Sequence, residues 1–515
     1  VTLTAKDKIC LCETRECTPE ACPYANGYYA RIKSALWDVL DVPCLTAETL
    51  QEYAERHTVC PFELGLDSSL WSDVIIGDYN YLFDPVVHLV RFFESAGDYI
   101  FLVDEAHNLP GRAREMHSAA LTKTSFYEAK KLLGKGKSSL KNALTKVNDV
   151  FIEWRHRAEE ETAARDGRFG KTFFLKERSE EFDHLLNRLC EPLEAWLDDH
   201  REPDETHTAL LQLYFDVRAW LRVADTFDDH FVLQITASGS EVRAAQLCLD
   251  PSAFLADSFA LGRAAVLFSA TLAPASYYKD LCGVPEARAV ALRSPFPAGN
   301  QGLFCIGNVS TRYKDRDASL AIVEESLATM VRARCGNYLA FFPSYAYMEQ
   351  AYAQFKEHCP EINCIKQENA MDEQQKAAFL AQFVPGPSQT LLGFAVMGGV
   401  FGEGVDLTGD RLIGVGIVGP GLPQVGPRQE QLRDYFEQTR GSGFDYAYRY
   451  PGMNKVLQAA GRVIRTPRDK GVVLLIDNRF AMPDYRRLMP PHWSHLKMIY
   501  DTEKLERELW RFWEE

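Results

Sequence analysis

No run of roughly 18 or more apolar residues occurs anywhere in the 515, so no membrane-crossing helix is expected. The opening Val1-Thr2-Leu3-Thr4-Ala5-Lys6 has no initiator Met and no secretory-signal core, and it reads as cut from something longer. An excess of cations is also missing: 57 Lys and Arg face 72 Asp and Glu, a formal charge of −15. That balance excludes a protein that coats nucleic acid by bulk electrostatics, though not one with a local basic channel. There is no internal repeat, and no Gly-x-x-x-x-Gly-Lys-Ser/Thr phosphate loop, so nothing in the chain is set to cradle β- and γ-phosphates. A disulfide framework is not indicated either. The 13 cysteines are odd in number, and Cys10, Cys12, Cys17, Cys22, Cys44 and Cys60 crowd the start while the rest are scattered. This pattern predicts a reducing, cytoplasmic setting and a metal site within the first sixty or so residues.

What is present is a globular composition, 46% apolar with 30 Phe, in a chain long enough for three or four domains. After the cysteine block, Val74–Ile76 and Tyr99–Val103 read as buried parallel strands flanking a helix near Pro85–Ser95. From about 111 to 250 the period is mostly helical, with Trp154, Trp196 and Trp220 as packing anchors and a closing hairpin, Phe231–Ile235 with Val242–Leu247. Lys123, Lys130, Lys131, Lys135, Lys137, Lys141 and Lys146 gather here, as a solvated helix face or a guide for an anionic strand. Ala264–Phe268 returns to a strand-rich core, so the helical block looks inserted. Beyond the linker Ser294–Asn300, strands at Tyr338–Phe342, Thr390–Ala395, Arg411–Ile417 and Val472–Ile476 alternate with helices, which predicts an open α/β sheet.

Four short motifs carry chemistry. Asp104-Glu105-Ala106-His107 directly follows a strand, where open sheets form their ligand crevice. Such an acidic pair can hold Mg²⁺ through Asp104 and direct a water with Glu105, although a lone Asp-Glu is more often a strand-end turn. Ser269-Ala270-Thr271 is by itself no more than a cap. The glycine-rich Gly398–Asp406 permits close approach to a ligand, with Glu403, Gly404 and Asp406 at its end. Gln458, Gly461, Arg462 and Arg465 recur at helical spacing, opposite apolar Val456, Leu457, Ala460, Val463 and Ile464. A helix of that pattern would lie on a sheet and aim two bidentate guanidiniums at phosphoryl oxygens.

The order of these motifs is that of motifs II, III, V and VI in superfamily 2 helicases. The chain most resembles the XPD/DinG-like group. Cys60-Pro61-Phe62, Asp78–Pro85, Ser294–Pro297 and Phe342-Pro343-Ser344 share in the likeness, and Tyr448–Lys455 leans toward bacterial members. The resemblance implies an α/β protein with two RecA-like motor domains, an inserted iron–sulfur domain and a mostly helical arch. Its boundaries would be an iron–sulfur domain at 1–72, the first motor domain at 73–110 and 256–293, the arch at 111–255 and the second motor domain at 301–515.

The resemblance further implies ATP and Mg²⁺ as cofactors. Asp104 would be on the metal, Glu105 on the attacking water, and Arg462 and Arg465 on the γ-phosphoryl charge. His107, Gln458, Gly404 and Asp406 would line the nucleotide cleft, and Ser269 and Thr271 would couple it to strand movement. Cys10, Cys17, Cys22 and Cys60 would ligate a [4Fe–4S] cluster, with Cys12 able to replace Cys10 and a Cys₄ zinc site as the rival. Single-stranded or forked DNA would meet Tyr79, Asn80, Phe342, Ser344, Lys130 and Lys131, with translocation 5′→3′. Because the phosphate loop of this group lies upstream of the cysteines, the expectation is a truncated chain whose parent hydrolyses ATP and which is inactive alone. The competing expectation is a nucleotide-independent DNA-binding or redox-regulated module on the same scaffold.

Overall fold

The computed structural model describes residues 1–134, 138–164, 170–202, 204–402 and 407–514. It divides into two compact units, Val1–Asp98 and Tyr99–Glu515.

The first unit is a small helical body. Helices Tyr28–Val39, Ala47–His57 and Pro61–Ser68 enclose Ile9, Ala35, Leu50, Ala54, Val59 and Leu64. Two of the three helix starts are written in the sequence: Thr46 caps the second through the Thr49 N–H, and Pro61 opens the third, where a missing N–H costs nothing. The expected strand at Val74–Ile76 is reduced to one parallel bridge, Thr2 to Ile76, and all three residues of the run are exposed. The helix expected near Pro85–Ser95 shrinks to Val90–Phe93. Its first half is instead a turn, because Asp84 Oδ1 accepts the N–H groups of Val86 and Val87.

Thirteen strands form among the described residues of the second unit. In chain order they are β1 Ile100–Val103, β2 Ala119–Thr122, β3 Lys171–Leu175, β4 Phe231–Ser238, β5 Glu241–Cys248, β6 Ala264–Leu267, β7 Gln301–Ile306, β8 Asn337–Phe342, β9 Asn363–Lys366, β10 Leu391–Val396, β11 Gly414–Val418, β12 Gly471–Ile476 and β13 Lys497–Ile499. β1 and β6 pair in parallel, Ile100 against Ala264 through Val103 against Leu267. The burial expected of β1 is only partial. With one ladder between two strands, Ile100, Leu102, Val266 and Phe268 stay exposed.

The helical block is confirmed and carries its own antiparallel sheet, β2-β5-β4-β3, closed by the predicted hairpin. Helices Ser139–Ala164, Glu180–Asp199 and Glu205–Asp225 pack on it around Phe151, Phe173, Phe182 and Trp220. Trp154 and Trp220 are core anchors as expected, and Trp220 also donates its ring N–H to buried Asp183 at 2.8 Å.

The last third is a seven-stranded parallel sheet in the order β13-β7-β12-β11-β8-β10-β9. Its five inner strands are buried on both faces, while the edge strands β9 and β13 are partly exposed. One face packs helices Glu373–Ala381 and Tyr450–Ala460 around Leu339, Phe341, Val415 and Leu475. The other packs Arg316–Arg332, Tyr345–His358 and Thr502–Glu514 around Tyr338, Phe342, Phe394 and Leu474. This is the sandwich that βαβ crossovers dictate.

Candidate nucleotide-hydrolysis site

The site begins at the carboxyl end of β1. Val103 accepts from the Phe268 N–H (3.0 Å), and Phe268 accepts from the Ala106 N–H (3.1 Å), which stitches the Asp-Glu-Ala-His turn to the segment after β6. Asp104 and Glu105 are exposed at this edge, and Asp104 Oδ1 accepts the Glu105 N–H at 2.7 Å. Glu105 has φ of 45°, a left-handed backbone that a residue with a Cβ adopts only under constraint.

His107 points the other way and is buried. Its Nδ1 lies 2.8 Å from Ser269 Oγ, and its Nε2 lies 2.5 Å from Gln458 Nε2. Ser269 Oγ lies 3.3 Å from Glu105 Oε2 and accepts the Thr271 N–H at 3.2 Å. One proton arrangement fits the contacts from Gln458 to Glu105. The Gln458 amide donates to His107 Nε2, His107 Nδ1–H donates to Ser269, and the Ser269 hydroxyl donates to the Glu105 carboxylate. Three motifs spread over more than 350 positions in sequence thus meet at a single imidazole.

Gln458 sits near the end of the helix Tyr450–Ala460. The sequence reading carried this helix through Arg465, and the structure corrects that: it stops at Ala460, with Gly461 as its C-cap. Pro467 disfavours helical backbone at Thr466, and Asp469 captures the N–H groups of Arg465 and Thr466 at 2.7 Å each. Arg462 and Arg465 therefore project from a turn rather than sharing a helical face with Gln458. Arg462 is half-buried and donates to the Gly402 carbonyl at 2.7 Å; Arg465 is exposed. Gly398, with φ of 69°, is so closely approached by Lys455 that a Cβ there would sit 2.8 Å from the lysine's Cε. Glu403, Gly404 and Asp406 lie outside the described residues, as do Lys135 and Lys137.

In the first unit, Cys12 and Cys22 sulfurs are 3.8 Å apart. Burial and the neighbouring sulfurs of Cys22 and Cys10 push the Cys12 thiol up to about 11. Cys17 is exposed, with its sulfur 3.9 Å from the Arg15 carbonyl oxygen. Cys60 is the N-cap residue of the helix Pro61–Ser68. Burial raises its thiol pKa on balance, against the N–H groups of Phe62 and Glu63, which favour a thiolate there. Among the described residues no three metal-binding side chains converge, so the four expected ligands are not gathered around one point. The donor set still suits an iron–sulfur cluster: soft thiols in one small unit, one of them at a helix start.

The residues expected to meet DNA divide. Tyr79 and Asn80 are half-buried at the start of the helix Asn80–Phe83. Lys130 and Lys131 end the helix Lys123–Leu132, with Lys131 exposed. Ser344 caps the helix Tyr345–His358. Phe342 is a correction: it is fully buried, stacked on Phe394 at 5.8 Å, and its ring fills the core instead of offering a platform.

A protein-family model described as DEAD_2 matches residues 2–126, and one described as helicase C-terminal domain matches residues 327–496. The XPD subunit of the general transcription and DNA repair factor IIH helicase from Schizosaccharomyces pombe is 25% identical over 86% of this chain. The ATP-dependent DNA helicase CHL1 of Coccidioides immitis is 22% identical over 88%. The chain belongs to the XPD-like helicase family. An XPD helicase structure aligns with TM-score 0.58 at 18% identity, over 94% of this chain and 85% of that one. Xpd4 of S. tokodaii aligns with TM-score 0.57 at 15% identity, over 93% and 95%. These XPD-like neighbours fix the fold as α/β with RecA-like domains. The chain spans 67% of the length of the S. pombe relative and 60% of CHL1.

Proposed function

We propose that this chain forms the motor of an ATP-dependent DNA helicase that translocates 5′→3′ on single-stranded DNA, in DNA repair or the resolution of DNA structures. The observation that carries the reading is His107, held between Ser269 and Gln458 while Ser269 holds Glu105. In the proposed reaction Glu105 takes a proton from water as the water oxygen bonds to the γ-phosphorus and ADP leaves. Mg²⁺, held through Asp104, would offset phosphate charge when bound. Arg462 and Arg465 would meet the charge that develops on the transferring group. Gln458 reports that group's position through His107 to Ser269 and Thr271, and Gly404 and Asp406 would complete the cleft.

Cys10, Cys17, Cys22 and Cys60 are proposed to hold a [4Fe–4S] cluster, with Cys12 in reserve. The segments 1–72, 73–110 with 256–293, 111–255 and 301–515 are proposed as the iron–sulfur, first motor, arch and second motor domains. Tyr79, Asn80, Ser344, Lys130 and Lys131 are the proposed contacts to single-stranded or forked DNA.

The test is DNA-stimulated ATP hydrolysis by the gene product that carries this chain, with and without Glu105→Gln. The amide keeps the Ser269 contact and cannot take the proton, so turnover should fall at least a hundredfold with single-strand binding unchanged. Undiminished turnover would remove Glu105 from the water. Single-strand binding with no hydrolysis in the unmodified protein would favour the nucleotide-independent module.

A further inference from the structure

The carboxyl edge of the seven-stranded sheet carries a second polar assembly, on the face opposite the helix that bears Gln458. β7 and β12 are parallel neighbours, and the segments just past their ends interlock. Asp477 is fully buried and accepts from the Thr311 N–H (2.9 Å), Thr311 Oγ1 (2.5 Å), Arg479 Nε (2.7 Å) and Arg479 Nη2 (2.8 Å). Burial would raise this carboxyl, but Arg479 and Thr311 hold it below the usual range. Its bonding capacity is thereby used up.

Two further arginines stand near it and, among the described residues, neither is ion-paired to a carboxylate. Arg312 donates to Ser310 Oγ (3.3 Å) and Asn478 Oδ1 (3.4 Å). Arg316 donates to Ser344 Oγ (3.1 Å) and lies over the rings of Tyr313 and Tyr347, 5.3 and 5.1 Å from their centroids. Its Nε is buried and has no hydrogen-bond partner. In a chain with a net charge of −15, these two arginines, four residues apart and hydrogen-bonded to neutral groups, leave positive charge at the start of the helix Arg316–Arg332, with Asp315 one hydrogen bond away through Ser310. Asp315, the N-cap residue of the helix Arg316–Arg332, accepts no N–H from its first turn and accepts from Ser310 Oγ at 2.6 Å instead. A cation at the first position of a helix opposes the helix dipole, and an anion bound there would be favoured by both. Burial, and then the nearby Arg479 charge, lower the Arg316 pKa, as expected of a cation awaiting a counter-charge. Tyr313, between the two arginines in sequence, is 86% exposed.

We propose that Arg312, Arg316 and the start of the helix Arg316–Arg332 seat a phosphodiester of single-stranded DNA, with Tyr313 stacking on the adjoining base. The proposal rests on the DNA-translocating reading above. Bidentate guanidiniums suit phosphate oxygens, and an exposed ring beside them suits a base of any identity. The nucleotide is the poorer occupant, because Gln458 and Arg462 lie on the opposite face of the sheet.

The experiment is binding of a fluorescent oligothymidine to the full chain over a range of salt. The Arg312→Gln/Arg316→Gln variant should lower the slope of log K against log salt by about 0.7, the share of one single-strand phosphate. Tyr313→Ala should weaken binding roughly tenfold at unchanged slope, and Tyr313→Phe should restore it. Arg312→Gln with Tyr313→Ala alters only the surface side of the seat. It should show both effects, reduced in slope, even if the Arg316 change perturbs folding. A slope equal to that of the unaltered chain in both arginine variants overturns the seat and leaves the helicase reading standing. Weakened binding of ADP with unaltered DNA binding would also overturn it. No single-strand binding by the unaltered chain would sink both.

Discussion

At the scale of single residues, the backbone of Glu105 is the most informative strain in the molecule. Its φ of 45° is enforced from both sides, by Asp104 Oδ1 on its own N–H and by Ala106 N–H on the Phe268 carbonyl. A left-handed residue with a Cβ costs about 1–2 kcal/mol, which glycine avoids. The position therefore keeps a glutamate at the expense of stability, as expected where a carboxylate must project from a sharp turn. Glu105→Gly should be more stable than Glu105→Ala by about 1 kcal/mol, although glycine is ordinarily the more disordering of the two. Urea denaturation of the two variants measures the difference, and an alanine variant equal to or more stable than the glycine variant would show that the turn carries no strain. Charge at this position was plain in the sequence. The conformation was not, because it is set by a carbonyl more than 160 positions away.

At the scale of elements, legibility followed how local each cause is. β8, β10, β11 and β12 were readable because a buried parallel strand must be a short continuous apolar run. β7 was missed: Gln301-Gly302 abuts the linker, and Gly302 is there because the Phe512 ring lies 3.2 Å from where its Cβ would be. The end of the helix Tyr450–Ala460 was misjudged because side-chain capture by Asp469, not periodicity, stops it. The same lesson applies to the short helix Pro61–Ser68. Cys60 looked like one cysteine among several, yet it sits at a helix N-cap and is offered backbone N–H groups. Those donors stabilise a thiolate wherever it is bound, so Cys60 should matter more for metal retention than Cys44, which is exposed. Iron and sulfide content of purified Cys60→Ser should fall well below that of Cys44→Ser. Equal content in the two would remove Cys60 from the proposed cluster.

At the scale of the second unit, the four-stranded sheet β2-β5-β4-β3, in the proposed arch, and the seven-stranded sheet are not independent bodies. Val232, Leu247 and Leu249 of the arch share one core with Tyr277, Tyr278 and Leu281, and with Leu432, Phe436 and Tyr446. Arg114, five residues past Leu109 on the helix after the Asp-Glu-Ala-His turn, donates to the Leu249 carbonyl at 2.8 Å and lies over the Phe436 ring. Tyr277 follows the Ser269–Thr271 segment and packs edge-on against Tyr446 and Tyr450, the latter opening the Gln458 helix. A π-helical turn, Asp445–Arg449, delivers Tyr446 and Tyr448 into this core, and such turns are frequent at functional positions. Movement at the proposed hydrolysis site would thus have a continuous packed path to the proposed arch. Removing the ring at the centre, Phe436→Ala, should cost about 3–5 kcal/mol, typical of a buried aromatic. The loss would fall on the junction and not on either separate core, so hydrogen exchange should quicken in β4, β5 and the helix Pro427–Arg440 while β8 and β11 stay protected. Phe182→Ala, deep in the arch core, should instead quicken exchange across the arch helices alone. If Phe436→Ala loosened the arch core and the seven-stranded sheet to the same extent, the junction would be a passive part of one cooperative unit and could not transmit motion between them.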